Sequence, residues 1–278
     1  MNVIVVGCGP AGLAAAHAAS GLGASIEIIA PKKMTPQEGP LLIQRPIPGI
    51  NTDHPDGTIH QVVIGGSILD YRYKLYGDIN IGINGDQLKP HYHAWRHNET
   101  YQKLWDMYEN AVLDYKLTTR EMRHIHEQAD LVVSTASSRS MCTLDHKFLY
   151  KEVVVTSDYS YPDQPDNTII FNACTEDIFP DTYPSELYGR DARWVRSSRI
   201  FGVPVTEWPF CKEPADRPSR LIRKPIGTDC NCYPQILRTG RFGAWKNEVW
   251  CDTAYWDTYN AIVSMNSRHI RSIGDITD

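Results

Sequence analysis

The chain has 278 residues, a net charge of −5, 42% hydrophobic and 22% charged residues, an ordinary globular composition with room for one large domain or two small ones. The acidic balance excludes the basic footprint of a dedicated nucleic-acid binder. With no apolar run of about twenty residues and no basic n-region, neither a membrane span nor a signal peptide is expected, and a cytoplasmic location is. The seven cysteines, an odd number, are expected as free thiols.

In chain order, residues 2–6 (NVIVV) read as a buried strand leading into GCGPAG at 7–12. LAAAHAAS then reads as a small-residue helix, GLGA (21–24) as its glycine cap, and SIEIIA (25–30) as a second strand, which completes a βαβ unit. Residues 31–58 are rich in Pro and Gly and are expected to form an ordered excursion over a ligand. A strand is predicted at 59–65. Helical spacing over 98–113 places Tyr101, Leu104, Trp105, Tyr108, Ala111 and Val112 on one face. A buried strand at 129–135 ends in small polar residues. Strands are predicted at 151–159 and 167–174, an irregular stretch at 193–202, a Pro- and Cys-punctuated segment at 204–237, and a helix at about 253–270. The first strand and helix are expected to share a core with the last segment.

Gly7, Gly9 and Gly12 form Gly-x-Gly-x-x-Gly, directly after a strand and opening a helix. Gly7 permits the tight turn, Gly9 lets the backbone approach a pyrophosphate, and Gly12 lets helix pack on sheet. Pro10 and Ala11 complete the phosphate loop, whose helix N-terminus offers N–H groups to the phosphates. Thr135, closing the 129–135 strand, is a further candidate cofactor contact. The motif has one departure. The second strand should end in Asp or Glu to hold the ribose, but Ala30 stands there, followed by Pro31, Lys32 and Lys33. Either these lysines meet a 2′-phosphate, which favours NADP, or the ribose of FAD is held from elsewhere.

Residues 239–245 read TGRFGAW, and Asp252, Thr253 and Ala254 open the last helix. With the N-terminal motif, these residues resemble the glutathione-reductase-type flavoprotein superfamily, in the amine-oxidase-like branch that includes UDP-galactopyranose mutase. The resemblance covers mainly residues 1–30 and 239–262. It implies FAD, with Gly240, Arg241, Phe242, Gly243, Trp245, Thr253 and Ala254 beside the flavin. It also implies a last helix whose N-terminus faces the flavin pyrimidine edge, where it stabilises the negative charge of the reduced ring. Small phage-encoded flavoenzymes that tailor modified thymidine in DNA look similar in size and in these end motifs, and imply an amino-acid adduct on DNA as substrate.

In the middle of the chain, Arg196 and Arg199 are candidates to clamp a substrate carboxylate or phosphate, against a plain solvated loop. Lys224 is a candidate to act near the flavin N5 or on a substrate anion. His93 or His91 could serve as acid or base. Cys230-x-Cys232 has poor zinc spacing and no matching second pair, and His91/His93 and His124/His126 lack carboxylates, so no metal is expected. DYRYKLYGD (70–78) is either a substrate surface over the flavin or a half-buried amphipathic segment. The richness in Tyr and Trp suits stacking of flat ligands, and Arg or Lys side chains could meet phosphates of a nucleotide.

The expected fold class is α/β: a Rossmann-like FAD-binding domain (1–66 and 203–278) with an inserted, partly β substrate region (67–202) that also carries FAD-domain strands. No second Gly-x-Gly-x-x-Gly announces an NAD(P)H domain, so electrons should come from the substrate or an outside partner. The leading functional reading is an FAD-dependent oxidoreductase of amine-oxidase type, passing hydride from a carbon next to nitrogen to flavin N5. Its substrate is a small molecule or a modified nucleotide, with DNA as a partner and no membrane. The alternatives are a non-redox flavoenzyme of galactopyranose-mutase type and a non-catalytic FAD- or NADP-binding protein.

Overall fold

The computed structural model describes residues 1–33, 42–81, 89–157, 164–174, 193–210, 219–247 and 249–274. Residues 34–41 of the 31–58 excursion, part of the 204–237 segment and residues 175–192 lie outside them.

Two sheets organise the chain. The first is five-stranded and wholly parallel, in the order β13-β7-β1-β2-β6. It comprises β1 (Asn2–Val6), β2 (Ser25–Ala30), β6 (Val112–Asp114), β7 (Leu131–Ser134) and β13 (Leu237–Arg238). Covered parallel strands read as continuous apolar runs, and Val3 to Val6 are at most 4% exposed. Helix α1 (Pro10–Gly21) buries Leu13 and five alanines as well as Gly12. Such small side chains let three neighbours approach closely: the sheet, helix α3 (His97–Tyr108) and the last helix, α6 (Cys251–Gly274). Leu13, Tyr101, Leu104, Tyr255 and Ile262 share one core, so the two chain ends are built together. None of the described helices is long and apolar enough to cross a membrane.

The second sheet has eight strands, in the order β12-β8-β11-β10-β9-β4-β5-β3. They are β3 (Leu42–Ile43), β4 (Gly57–Ile64), β5 (His91–Arg96), β8 (Phe148–Ser157), β9 (Thr168–Asn172), β10 (Arg196–Ile200), β11 (Val203–Pro209) and β12 (Ser219–Thr228). The strands of this sheet come from both sides of positions 67 and 202. All its pairings are antiparallel except β4 with β9.

Two elements differ from the sequence reading. The stretch 193–202 is not irregular: RSSRI forms β10 in the middle of the sheet, and Ser197 is buried there because its hydroxyl donates to Gln164 Oε1 at 2.7 Å. Phe201 and Gly202, at φ 50° and 81°, turn β10 into β11, the left-handed pair that a two-residue hairpin requires. The helix predicted over 98–113 ends at Tyr108, and Val112 joins the edge of the parallel sheet beside Ile28. Residues 70–76 fall on helix α2 (Ile68–Tyr76), which buries Tyr71 and Arg72 and leaves Tyr73 exposed, in keeping with the half-buried amphipathic alternative. Two shorter helices, α4 (Thr119–His124) and α5 (Ser138–Met141), flank β7 in sequence.

Candidate active site

The phosphate loop follows from the end of β1. Gly7 has φ 110°, and its N–H donates to Ile29 O at 3.0 Å, which ties the turn to β2. A Cβ at Gly12 would stand 1.9 Å from Gly7 O, and one at Gly7 would stand 2.6 Å from Thr135 Oγ1. Gly9 is different: a Cβ there would meet nothing within 4 Å among the described residues. Gly9 is also the N-cap of α1, without a side-chain cap, and no acidic residue stands in the first turn. The positive end of α1 therefore opens, without a counter-charge of its own first turn, onto the free space above Gly9, as an anion cradle does.

The C-terminal motif closes on the same place. Thr239 N–H donates to Ser134 O at 3.1 Å, and Thr135 N–H to Val6 O at 2.9 Å. Gly240, at φ 72°, could not carry a Cβ without coming 2.8 Å from Ala11 Cβ, and a Cβ at Gly243 would stand 2.5 Å from Ser134 O. Thr135 thus lies between the two glycine motifs. Ser138 holds the turn from behind, its hydroxyl donating to Gly243 O and its N–H to Phe242 O at 3.0 Å. Thr239 donates to Asp257 Oδ2 of α6 at 2.6 Å. Phe242 is 46% exposed, whereas Trp245 is buried, donates to Leu149 O at 3.0 Å and meets Phe148 and Phe242 edge-on. At the start of α6, Thr253 Oγ1 accepts from Trp250 N at 3.2 Å, and Ala254 is fully buried. Asp252 is buried beside Arg45, 3.8 Å away, and burial raises its carboxyl while Arg45 opposes the shift.

A buried ion cluster stands where the second sheet meets this turn. Arg196 of β10 and Glu207 of β11 are register partners and bond directly. Lys224 of β12 reaches the other Glu207 oxygen at 2.5 Å. Glu207 is 2% and Lys224 6% exposed. Burial pushes the Lys224 ammonium down to about 8, with Glu207 opposing and Arg196 and Arg241 adding to the shift. Burial works to raise Glu207, but Arg196 and Lys224 hold its carboxyl below the usual range. Arg241 belongs to the same electrostatic group, acting on Glu207, Lys224 and His97. His97 opens α3, its ring pushed down to about 4 chiefly by burial, and its Nδ1 is buried without a hydrogen bond among the described residues. Tyr71 and Tyr92 complete the wall, both raised by burial. Among the described residues, three cations thus face one carboxylate, an arrangement that can take an anion.

The structure therefore joins three predicted residues, Arg196, Lys224 and Arg241, and separates two others. His93 is exposed on β5 and lies 3.4 Å from Thr58 Oγ1. It alternates with Tyr92, so it faces away from the cluster. Arg199, three residues along β10 from Arg196, lies on the opposite face of the strand for the same reason, so the two arginines do not form one clamp. Glu207, His97 and Tyr92 were not legible as site residues, whereas Tyr71 fell in the 70–78 segment named as one alternative substrate surface. Only strand register and helix docking bring them in.

At the other end of the loop, the carboxylate missing at Ala30 stands one strand away. Ala30 pairs with Asp114 of β6, and Asp114 Oδ1 accepts from Lys32 N at 2.8 Å.

No family model matches the chain, and no curated protein matches it in sequence. Solved structures do match in shape. In fold, the chain is similar to UDP-galactopyranose mutase. The reduced form of that enzyme superposes over 96% of this chain and 95% of its own, with a TM-score of 0.53 and 11% identity. A tetrameric 2-methyl-3-hydroxypyridine-5-carboxylic acid oxygenase covers 94% of this chain and 80% of its own (TM-score 0.47, 10% identity). The peptidyl tryptophan dihydroxylase QhpG covers 86% of this chain (TM-score 0.43, 10% identity), and this chain spans 59% of the length of QhpG. The similarity to the mutase shows the fold of this chain, a Rossmann-like α/β fold.

Proposed function

We propose that this protein binds FAD and is an oxidoreductase that acts on the C–N bond of an amino-acid-like amine. The observation that carries this reading is the meeting of the two glycine motifs at Thr135, beside a cation cluster. The residues fit the cofactor. The open face of Gly9 and the uncapped start of α1 suit a diphosphate, and Asp114, the register partner of Ala30, would meet the ribose hydroxyls in lieu of position 30. FAD, when bound, supplies the hydride acceptor.

The chain's own residues supply the rest. Arg196, Lys224 and Arg241 exceed Glu207 in charge and would hold a substrate carboxylate. Lys224, with its pKa near 8, can keep or release a proton close to neutrality. The burial of Lys224 and Glu207 keeps water from their ion pair and strengthens it. An amino-acid adduct on a modified thymidine of DNA presents the same amine and carboxylate, and it is the substrate class to which the resemblance of the chain ends points.

The test is an absorbance spectrum of the purified protein, followed by anaerobic mixing with free amino acids and with DNA bearing an amino-acid adduct. A yellow protein that one of these bleaches supports the reading, and Arg196→Ala should then raise KM more than it lowers kcat. A colourless protein that takes up no FAD sinks it. The similarity in fold along nearly the whole mutase motivates a second reading, in which the cations meet the diphosphate of a sugar nucleotide. Photoreduced enzyme that isomerises a UDP-sugar without net electron flow would favour that one.

A further inference from the structure

Three cysteines and a histidine converge outside the site described above. Cys142 follows α5 and His146 lies in the loop before β8, while Cys230 and Cys232 lie between β12 and β13. Their ligand atoms all lie within 4.8 Å of one another. Cys142 Sγ is 4.0 Å from Cys232 Sγ and 3.2 Å from His146 Nδ1, and Cys232 Sγ is 3.6 Å from the same nitrogen. Tetrahedral zinc, with bonds of about 2.3 Å to sulfur and about 2.0 Å to nitrogen, requires S···S of about 3.8 Å and S···N of about 3.5 Å. The cluster has that size already.

We infer that Cys142, His146, Cys230 and Cys232 form a structural zinc site. The sequence holds the second ligand pair as Cys-x-x-x-His, some 85 residues before Cys-x-Cys by the numbering, and only the fold brings the two halves together. The surroundings are built to hold thiolates. Arg238, whose guanidinium donates to Cys230 O at 2.6 Å, balances the net negative charge of three thiolates on a divalent ion. The two ligand loops are laced to each other independently of any metal: Lys147 N–H donates to Asp229 Oδ1 and Thr228 Oγ1 to Lys147 O, both at 2.7 Å. Four protein ligands fill the tetrahedron and leave no open position, so the site is structural rather than catalytic.

Its place gives it a task. One ligand loop follows α5, whose Ser138 holds the carbonyls of Phe242 and Gly243. The other leads through β13 into Thr239–Gly243. A metal here clamps together the two segments that position the C-terminal glycine turn. Binding replaces the thiol protons by the ion, releasing up to three of them, with no change of oxidation state.

The experiment is elemental analysis of tag-free protein purified under reducing conditions, with thiol counting on the same sample. About one zinc per chain is expected, with at least a tenfold loss of metal in Cys142→Ser and in Cys232→Ser, and no loss in His126→Ala. Should the serine variants fail to fold, the wild-type holoprotein decides: a mercurial titrant should release the zinc as the cysteine thiols react. Cobalt exchanged into the site should give the intense thiolate charge-transfer and visible bands of a tetrahedral sulfur site. The inference is overturned if the native protein holds no stoichiometric metal and takes up neither zinc nor cobalt. It is equally overturned if two of the three cysteines are joined in a disulfide, or if cobalt gives a weak octahedral spectrum.

Discussion

Replacing Glu207 by Gln leaves the shape of the ion cluster almost unchanged and removes its single negative charge. Arg196 and Lys224 both bond Glu207, and Lys224 is almost wholly buried. Two opposite charges about 4 Å apart at an effective dielectric near 20 attract by about 4 kcal/mol, and breaking a buried pair by removing one partner costs about 3–5 kcal/mol. For a protein of this size that is a fall in Tm of roughly 10 °C. The pH dependence is the sharper test. The folded-state pKa of Lys224 is already below its unfolded value, near 8 against 10.5. The unfolded state therefore binds more protons above pH 8, and the cost of a charged Lys224 is relieved as pH rises. Without Glu207, which raises this pKa, the ammonium would lose its proton at lower pH still. The deficit of Glu207→Gln should thus be largest near pH 6 and shrink by about pH 9, read by thermal melts or urea midpoints. A loss under about 1 kcal/mol, equal at both pH values, would show that Glu207 does not compensate the cations.

Gly9→Ala should keep wild-type stability, because its Cβ enters open space, yet bind FAD less tightly, read by flavin content after gel filtration. Gly240→Ala should destabilise by about 2 kcal/mol or more, from the positive φ and the 2.8 Å approach to Ala11, read by differential scanning calorimetry. Affinity for a substrate-like carboxylate should fall as pH rises through about 8, when Lys224 loses its charge, and Lys224→Met should flatten that profile in fluorescence titrations. Asp114→Asn should weaken FAD binding with little change in Tm, since Asp114 is exposed.

What the sequence alone determined was local. Apolar runs at 2–6, 25–30 and 129–135, the glycine spacing after the first strand, and the alanine-rich helix specify a βαβ unit, because period, turn chemistry and close packing are all properties of neighbouring residues. Gly240-Arg241 was legible through the resemblance of TGRFGAW to the flavoprotein turn. The tertiary structure decided what depends on pairing across long separations. RSSRI carries too little apolar character to announce a strand, and becomes one because its serines find hydrogen-bond partners between β9 and β11. Glu207 acquires meaning only opposite Arg196, Asp114 only beside Ala30, and His146 only beside Cys232. A side chain's charge and ligand chemistry are written in the sequence. Its partner is set by strand register and by which loops the core holds together.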